Sequence, residues 1–157
     1  MNYKKIFLKK GKESSLERFH PWVFSGAVAY ADKNIAEGEI VEVYTANKEF
    51  IAVGHFQIGS IAVRVLSFNQ QEINHDFWVK RLSAAYQMRK DLGLDYTPEH
   101  SSFRLVHGEG DFLPGLIVDF YGSTAVMQAH SVGMHMHREE IAQCLVEISE
   151  GKIKNVY

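Results

Sequence analysis

The feature that most restricts the possible folds of this chain is a set of three short apolar runs between positions 38 and 68, which turn residues separate. They read GEIVEV, EFIAVGHFQIG and SIAVRVLSF, and in the last run Val63 and Val65 flank Arg64. Alternation of apolar and polar residues with a period of two is typical of strands that bury one face. Residues 1–70 are therefore predicted to form a small β-barrel, closed or half closed, with short helices.

A strand and a helix are predicted ahead of these runs. Residues 3–9 have strand character, and SSLE at positions 14–17 fits the capping box that starts a helix. Pro21 disfavours helical geometry at the residue before it, so the helix is expected to end there. The segment from Pro21 to Gly26 is then expected to run extended.

A longer helix is predicted over residues 77–92, with Asp76 as its N-cap and Gly93 at its end. The stripe that should face the core consists of Trp78, Leu82, Ala85, Tyr86, Arg89 and Leu92. We assign residues 71–95 to a helix that links two domains.

The remaining residues, 96–157, are predicted to form an α/β domain built around a β-hairpin. Its strands are predicted at residues 103–107, 115–120 and 125–129. The dipeptide Gly122-Ser123 suits a two-residue turn, and a final helix covers Ile141 to Ile148. Because a further strand pattern starts at Lys152, the protein is expected to continue into another domain.

The segment RLVHGEGDFLPG, residues 104–115, holds the two acids Glu109 and Asp111 and allows three interpretations. The carboxylates could be the acid/base pair of a small hydrolase. They could bind calcium, but Phe112-Leu113-Pro114 supplies no side-chain oxygen at the offsets that a calcium loop needs. A hairpin turn is the interpretation that the flanking residues support best.

The hairpin interpretation gives a definite register. The facing pairs are Gly108 with Gly115, Val106 with Ile117, and Arg104 with Asp119. The last pair has opposite charges, which is worth roughly 0.2–1 kcal/mol across a hairpin. Residues 109–114 then form the loop. Gly108 and Gly110 permit positive φ, and Pro114 fixes the entry to the second strand. Both carboxylates are expected to project from this loop.

The longer sequence RLVHGEGDFLPGLIVDFYG, residues 104–122, closely resembles a motif of the bacterial large-subunit rRNA cytosine-C5 methyltransferase family. HPWVFSGAV at 20–28 and SIAVRVLSF at 60–68 resemble the PUA domain of the same family. The order and spacing of these motifs also agree, so the resemblance covers essentially all 157 residues.

The resemblance implies an α+β fold with a PUA-like RNA-binding domain at 1–70, a linker helix at 71–95 and a central β-hairpin domain at 96–157. It also implies a following domain that uses S-adenosylmethionine to methylate cytosine C5 in large-subunit rRNA. This chain has no glycine-rich strand-to-helix turn for that cofactor, and no Pro-Cys pair for a nucleophile. We therefore expect it to bind no cofactor and to be inactive alone. The residues expected to border the active site are Arg104, Glu109, Asp111, Pro114, Gly115 and Asp119.

Charge is unevenly distributed along the chain. Residues 1–25 carry six basic and two acidic side chains, a net +4, whereas the rest carry 11 basic and 17 acidic, a net −6. A basic end on an acidic body favours a local contact with an anion such as RNA. A solvated lysine-rich edge strand is the alternative.

The candidate RNA contacts are Lys9, Lys10, Lys12, Arg18, His20, Trp22 and Arg64. Trp22, Phe24 and Tyr30 could stack on bases, although at least one of Trp22 and Phe24 is expected in the barrel core. The function that these residues favour is RNA recognition for an rRNA methyltransferase. A free-standing PUA-type RNA-binding module is the first alternative, and a hydrolase that uses Glu109 and Asp111 is the second.

Cys144 and the histidines are assigned structural roles. A single cysteine excludes an internal disulfide and favours a reducing, cytoplasmic setting, and Cys144 lies beside an apolar helical stripe as a small hydrophobe. His130, His135 and His137 have no carboxylate or cysteine at ligand spacing, so we expect surface positions and no metal site. No apolar run reaches the roughly 18 residues of a membrane helix, so no membrane partner is expected.

Overall fold

The computed structural model of the protein describes residues 2–95 and 101–157. Its contacts divide the chain into two compact units. One contains the residues up to Glu72 together with Ser131–Gly133, and the other contains Ile73–His130 and Met134–Tyr157. Both units combine a sheet with helices, which confirms the predicted α+β class. None of the described helices is long and apolar enough to cross a membrane.

The first unit is built on a six-stranded sheet. Its elements are β1 (Lys4–Leu8), α1 (Ser14–Glu17), β2 (Trp22–Phe24), a 3-10 helix (Ser25–Ala27), β3 (Val28–Ala31), β4 (Ile40–Tyr44), β5 (Phe50–Phe56) and β6 (Ile61–Ser67). The strand order is β2-β6-β5-β4-β1-β3, with β1 parallel to β4 and the other neighbours antiparallel. Register shifts in several ladders, including β4–β5 and β5–β6, increase the curl of the sheet.

The concave side of this sheet holds the core of the first unit. The buried residues that form it are Ile6, Leu8, Leu16, Val23, Val41, Val43, Ala52, Val63 and Val65. Close packing of β5 on β6 depends on Gly54, because a Cβ added there would overlap the backbone carbonyl of Arg64. The predicted small barrel-like unit with short helices is confirmed.

The predicted start and end of α1 need correction. The residue before the helix is Glu13, whose backbone is helical, and no side chain caps the first turn, so the predicted capping box is wrong. The helix ends at Glu17, before Pro21 can act on it, and the chain then turns at Phe19, which adopts a left-handed φ of 61°. The backbone N–H groups of Phe19 and His20 bond back to Leu16 and Ser15, so the turn itself ends the helix.

The second unit contains the remaining helices and a four-stranded sheet. Its elements are α2 (His75–Asp91), β7 (Ser102–His107), a 3-10 helix (Gly108–Asp111), β8 (Leu116–Tyr121), β9 (Thr124–Ala129), α3 (Val132–Met136, which the two units share), α4 (Arg138–Ile148) and β10 (Asn155–Val156). The strand order is β10-β9-β8-β7, and only β10 and β9 run parallel. Tyr121 pairs with Thr124, which confirms the two-residue turn at Gly122-Ser123.

Helix α2 buries the predicted stripe with two changes. Phe77 joins it, whereas Leu92 is 70% exposed because the helix ends at Asp91. The N-cap is Asn74, whose side-chain oxygen accepts a hydrogen bond of 3.1 Å from the backbone N–H of Phe77, so the prediction of Asp76 as N-cap is wrong. The helix packs on α4 and β7 within the second unit, and the three-part domain division stays a prediction.

Candidate nucleic-acid interface

Four basic residues directly after β1 and around α1 form what we call the basic segment: Lys9, Lys10, Lys12 and Arg18. All four are exposed, and none forms an ion pair with another residue in the described ranges. Lys4 differs, because its ammonium lies 3.0 Å from the Glu39 carboxylate. The backbone N–H of Ala36 and the Lys4 ammonium together hold the pKa of Glu39 below its usual value. The charge of the N-terminal part that no ion pair neutralises therefore lies on the basic segment and on Lys5, whose ammonium lies 5.1 Å from the centre of the Tyr44 ring.

The Lys9 and Arg18 side chains are held by the backbone. The ammonium of Lys9 donates to the carbonyl of Gly26 at 2.9 Å, and Nε of Arg18 donates to the carbonyl of Ser14 at 3.2 Å. Carbonyls do not neutralise these cations, so each keeps its charge while its stem is oriented. Such cations are suited to phosphate oxygens.

A second group, which we call the ring cluster, contains His20, Trp22, Phe24 and Arg64. Trp22 pairs with Arg64 across β2 and β6, which places the guanidinium 5.6 Å from the centre of the Trp22 ring. The His20 and Trp22 rings meet edge to face at 5.7 Å, and Trp22 and Phe24 do so at 6.2 Å. Nε of Arg64 donates to the side chain of Gln57 at 2.7 Å, which fixes its orientation. The cluster thus combines aromatic surface with a positive charge.

The expectation that Trp22 or Phe24 lies in the core is wrong. The two residues are two positions apart on one strand, so both point away from the core, and Val23 between them is buried instead. Trp22 is half buried and Phe24 is 47% exposed. The periodicity of the strand already contained this information, since positions i and i+2 share a face.

The hairpin of the second unit contains the predicted charge pair but a different register near its end. Arg104 faces Asp119, and two of its nitrogens donate to the carboxylate at 2.8 and 3.0 Å. A register shift then pairs Val106 with Val118, so the predicted pairing of Val106 with Ile117 is wrong. The shift allows the consecutive residues Leu105 and Val106 both to be buried, which a regular strand with one buried face does not permit.

The sequence suggested that Asp111 projects from the hairpin, and this prediction is wrong. Its side chain is 2% exposed and forms a two-pronged ion pair with Arg89 of α2, whose side chain is 10% exposed. The backbone N–H of His107 donates to the same carboxylate at 2.6 Å, and Nε of Arg89 donates to the carbonyl of Arg104 at 3.0 Å. Asp111 therefore joins the loop, β7 and α2, and it is not available as a partner of Glu109 in acid/base catalysis.

The prediction of positive φ in this loop is confirmed at Gly108 and wrong at Gly110. Gly108 and Gly115 have positive φ values of 52° and 87°, but the other left-handed position is Phe112, with φ of 55°, and not Gly110. Pro114 is buried, whereas Phe112 is 48% exposed and has the Arg81 guanidinium 5.5 Å from its ring centre. A bulky residue in this conformation is uncommon and marks a constrained loop.

Cys144 is buried, as predicted, but it has polar neighbours that the sequence did not suggest. Its sulfur lies 3.5 Å from Nδ1 of His75, and Nε2 of the same ring lies 2.9 Å from the Glu147 carboxylate. The order cysteine, histidine, carboxylate resembles a nucleophilic triad. Burial, and then the charges of Glu140 and Glu147, raise the pKa of the thiol to about 11, so the group is a protonated packing residue at neutral pH.

The three histidines of the patch occupy different surroundings. His137 is half buried, with its ring centre 5.2 Å from that of Trp78, whereas His130 and His135 are exposed. Within residues 2–95 and 101–157, no three side chains of His, Cys, Asp or Glu are grouped so that they could hold a metal ion.

Comparison with known proteins gives one domain match and a set of homologues. Residues 6–68 match the family model of the PUA-like domain. The chain is 40% identical over 143 residues to Ribosomal RNA large subunit methyltransferase I of Erwinia tasmaniensis, and 35% identical over 147 residues to the protein of that name from Vibrio campbellii. Each alignment covers 90% of this chain and 36% of the relative, so the chain spans about a third of the length of these relatives.

Solved structures share the fold. A structure from Streptococcus mutans that carries the description of a SAM-dependent methyltransferase superposes with a TM-score of 0.79 at 16% identity, covering 96% of this chain and 39% of that one. The structure of SMU.776 complexed with SAH gives a TM-score of 0.80 at the same identity and coverage. Each superposition covers 96% of this chain, so elements of both units have counterparts within larger chains.

Proposed function

From the PUA-like domain at residues 6–68 and the homology over 90% of the chain, we propose that this chain is the RNA-recognition part of an S-adenosylmethionine-dependent rRNA methyltransferase. The proposed substrate is large-subunit rRNA, and the proposed reaction is methylation of cytosine at C5. The PUA-like unit would hold the RNA, and the hairpin unit would border a catalytic domain in a longer protein. Its partner is then RNA and not a membrane, and its location is the cytoplasm.

The observation that supports RNA binding most directly is the surface of the PUA-like unit. It presents the basic segment, whose cations lack ion-pair partners among the described residues, beside the ring cluster with Phe24 exposed. Phosphates attract the cations, whereas unpaired bases stack on rings and on guanidinium planes. We assign phosphate contacts to Lys9, Lys10, Lys12 and Arg18, and base or phosphate contacts to His20, Trp22 and Arg64.

The hairpin residues are proposed to shape one border of the active site. The ion pair of Asp111 with Arg89 and the pair of Arg104 with Asp119 hold the loop on both sides. Pro114 and Gly115 set the path of the chain into β8. The exposed ring of Phe112 then presents a fixed surface to a neighbouring domain or to the substrate, and the half-buried Glu109 lies in the same loop.

S-adenosylmethionine would supply the methyl group in the catalytic domain of the longer protein. The described residues do not fit this cofactor themselves. The sheet of the second unit is antiparallel apart from the pair β9–β10, and it offers no strand, glycine-rich turn and helix in succession to receive the cofactor. We therefore assign no step of the transfer to this chain, and its contribution is to bind and orient the RNA.

Deleting the gene that encodes this chain tests the proposal. We expect one 5-methylcytosine to disappear from large-subunit rRNA, as read by mass spectrometry of rRNA digests, and to return with an intact gene copy. A copy with the basic segment changed to alanine should restore less of it. If large-subunit rRNA keeps all its 5-methylcytosines in the deletion strain while the purified chain binds RNA, the alternative of a free-standing RNA-binding module is correct.

A further inference from the structure

Four aromatic residues lie in register across the convex side of the first sheet, and we call them the aromatic row: Tyr30 on β3, Phe7 on β1, Tyr44 on β4 and Phe50 on β5. Phe7 is the paired residue of both Tyr30 and Tyr44, and Tyr44 is paired with Phe50. Their neighbours in sequence, Ile6, Leu8 and Val43, are buried in the core, so the row occupies the opposite face.

Adjacent rings of the aromatic row contact one another. The centres of Phe7 and Tyr44 are 5.5 Å apart in a stacked arrangement, and those of Phe7 and Tyr30 are 6.1 Å apart. The hydroxyl of Tyr44 donates to the Glu42 carboxylate at 2.9 Å, which fixes the middle of the row. Tyr30, at the sheet edge, is 56% exposed, so the row ends in an open ring that its neighbours support.

A depression of about 480 Å³ lies at this open end. Phe7, Tyr30 and the short side chains of Ala29 and Ala46 give it apolar walls, and the lysines Lys9, Lys10 and Lys48 stand at its margin. Lys10 and Lys48 are exposed, and neither forms an ion pair within the part of the chain that the structure describes. An apolar, aromatic wall with cations at its margin complements a base that is attached to a phosphate.

A second depression, of about 410 Å³, adjoins the first across Lys9. The backbone N–H of Lys9 donates to the carbonyl of Ala27 at 2.8 Å, its ammonium donates to Gly26, and both of these residues line the second depression. Lys12 and Phe24 line it as well, so it continues into the ring cluster. The two adjoining depressions therefore both combine an exposed ring with cations.

We propose that the depression beside Tyr30 binds one unpaired nucleotide of the RNA, with its base on the Tyr30 ring and its phosphates near Lys10 and Lys48. This inference rests on the proposed function and adds to it the form of the RNA. The bases of a duplex are stacked on both faces, so only a loop, bulge or strand end can place a base on a protein ring. The strand would run from this depression past Lys9 to the ring cluster, without selecting sequence at Tyr30 because every base has a stacking face.

The test is the affinity of the whole chain for a single-stranded RNA of about 12 nucleotides and for the same RNA in a blunt duplex, measured by fluorescence anisotropy. The single strand should bind more tightly. Tyr30→Ala should weaken single-strand binding about tenfold, whereas Tyr30→Phe, which keeps the ring, should stay within about twofold. Tyr121→Ala is the control, because Tyr121 is 54% exposed but lies in the second unit.

The lysines are tested by the salt dependence of the same binding. Lys10→Gln with Lys48→Gln should flatten the log–log salt slope by about 1.4, since each phosphate contact on a single strand contributes about 0.7. Lys33→Gln with Lys80→Gln removes the same charge from exposed positions outside the depression and should leave the slope unchanged.

Two results separate this inference from the proposed function. If the unaltered chain binds neither RNA, the proposed function fails, and the inference fails with it. If the chain binds RNA through the basic segment but Tyr30→Ala binds as tightly as the parent, or if the duplex binds as tightly as the single strand, then only the inference is overturned.

Discussion

Removing the Asp111 carboxylate should destabilise the second unit far more than removing Glu109 or Asp119, the other two acids of the same hairpin. Asp111→Ala takes away two hydrogen bonds to Arg89 and one to the backbone N–H of His107. It also leaves the guanidinium of Arg89 without its counter-charge at a site where that side chain is 10% exposed. Removing one partner of a buried ion pair costs about 3–5 kcal/mol of stability, because the other charge stays buried without a counter-charge.

The two ion pairs of this hairpin provide a matched comparison. The Arg104 and Asp119 pair has similar two-pronged geometry, and the Asp119 side chain is 14% exposed, but the Arg104 side chain is 47% exposed. Water can solvate the arginine that Asp119→Ala leaves behind, so this change should cost clearly less than Asp111→Ala. Glu109→Gln, in the same loop as Asp111, should change the free energy of unfolding by no more than about 0.5 kcal/mol. The contrast between Asp111 and Asp119 then measures burial and not charge.

Urea unfolding followed by tryptophan fluorescence can measure the stability of the second unit separately. The chain has two tryptophans, and Trp78 is fully buried on α2, so a Trp22→Phe background leaves one reporter in that unit. With a urea m-value of about 1.5 kcal/mol per molar, a loss of about 4 kcal/mol lowers the midpoint by about 2.7 M. Arg89→Met should be costly alone, and the double variant with Asp111→Ala should cost less than the sum.

The result that would refute this reasoning is a similar midpoint shift for Asp111→Ala and Asp119→Ala. Strict additivity of Arg89→Met and Asp111→Ala would refute it as well, because two groups that interact directly cannot contribute independently. Either outcome would mean that the loop, β7 and α2 are held together by packing and that the carboxylate adds little.

Three further predictions concern stability and thiol chemistry. Because the pKa of Cys144 is raised from 9.0 to about 11, alkylation of the thiol in the folded chain should reach its half-maximal rate near pH 11. The stability linked to this thiol should be complete below about pH 9 and be lost as the pH rises to 11. Half-maximal labelling near pH 9 would contradict this prediction. Gly54→Ala should cost at least about 1–3 kcal/mol in the first unit, because the new methyl group meets the Arg64 backbone. The loss should appear as a lower urea midpoint of Trp22 fluorescence in a Trp78→Phe background. An unchanged midpoint would mean that β5 and β6 separate freely. Asn74→Ala should cost about 0.5–2 kcal/mol by removing the cap of α2, whereas Asp76→Ala should cost no more than about 1 kcal/mol in the same urea assay, and the reverse ranking would restore Asp76 as the cap.

Local sequence patterns predicted the elements whose formation depends on neighbouring residues. The turn at Gly122-Ser123, the body of α2 and the charge pair of Arg104 with Asp119 follow from spacing over a few residues. Each of these features is decided within one strand pair or one helix, where periodicity and turn chemistry carry the information.

Features that depend on distant residues were not predictable from those patterns. Asp111 is buried because it pairs with Arg89, which lies 22 positions earlier on a different element. A sequence window around the hairpin does not contain Arg89 and so gives no sign of this pairing. The parallel pairing of β1 with β4 brings Phe7 beside Tyr44, and this aromatic contact exists only after the sheet has formed. The candidate interface is therefore a product of topology, although most of its residues could be named from their chemistry.

The central claim, that the basic segment of the PUA-like unit binds RNA, is tested most directly by the salt dependence of binding to a large-subunit rRNA fragment. The variant changes Lys9, Lys10, Lys12 and Arg18 to alanine, and its control changes four lysines outside the segment, namely Lys33, Lys80, Lys90 and Lys154. If all four cations of the segment contact phosphates, the variant should bind more weakly and lose up to about 2.8 from the log–log slope, while the control keeps both affinity and slope. Equal affinity of variant and parent at every salt concentration would contradict the account and leave the basic segment as a solvated edge of the sheet.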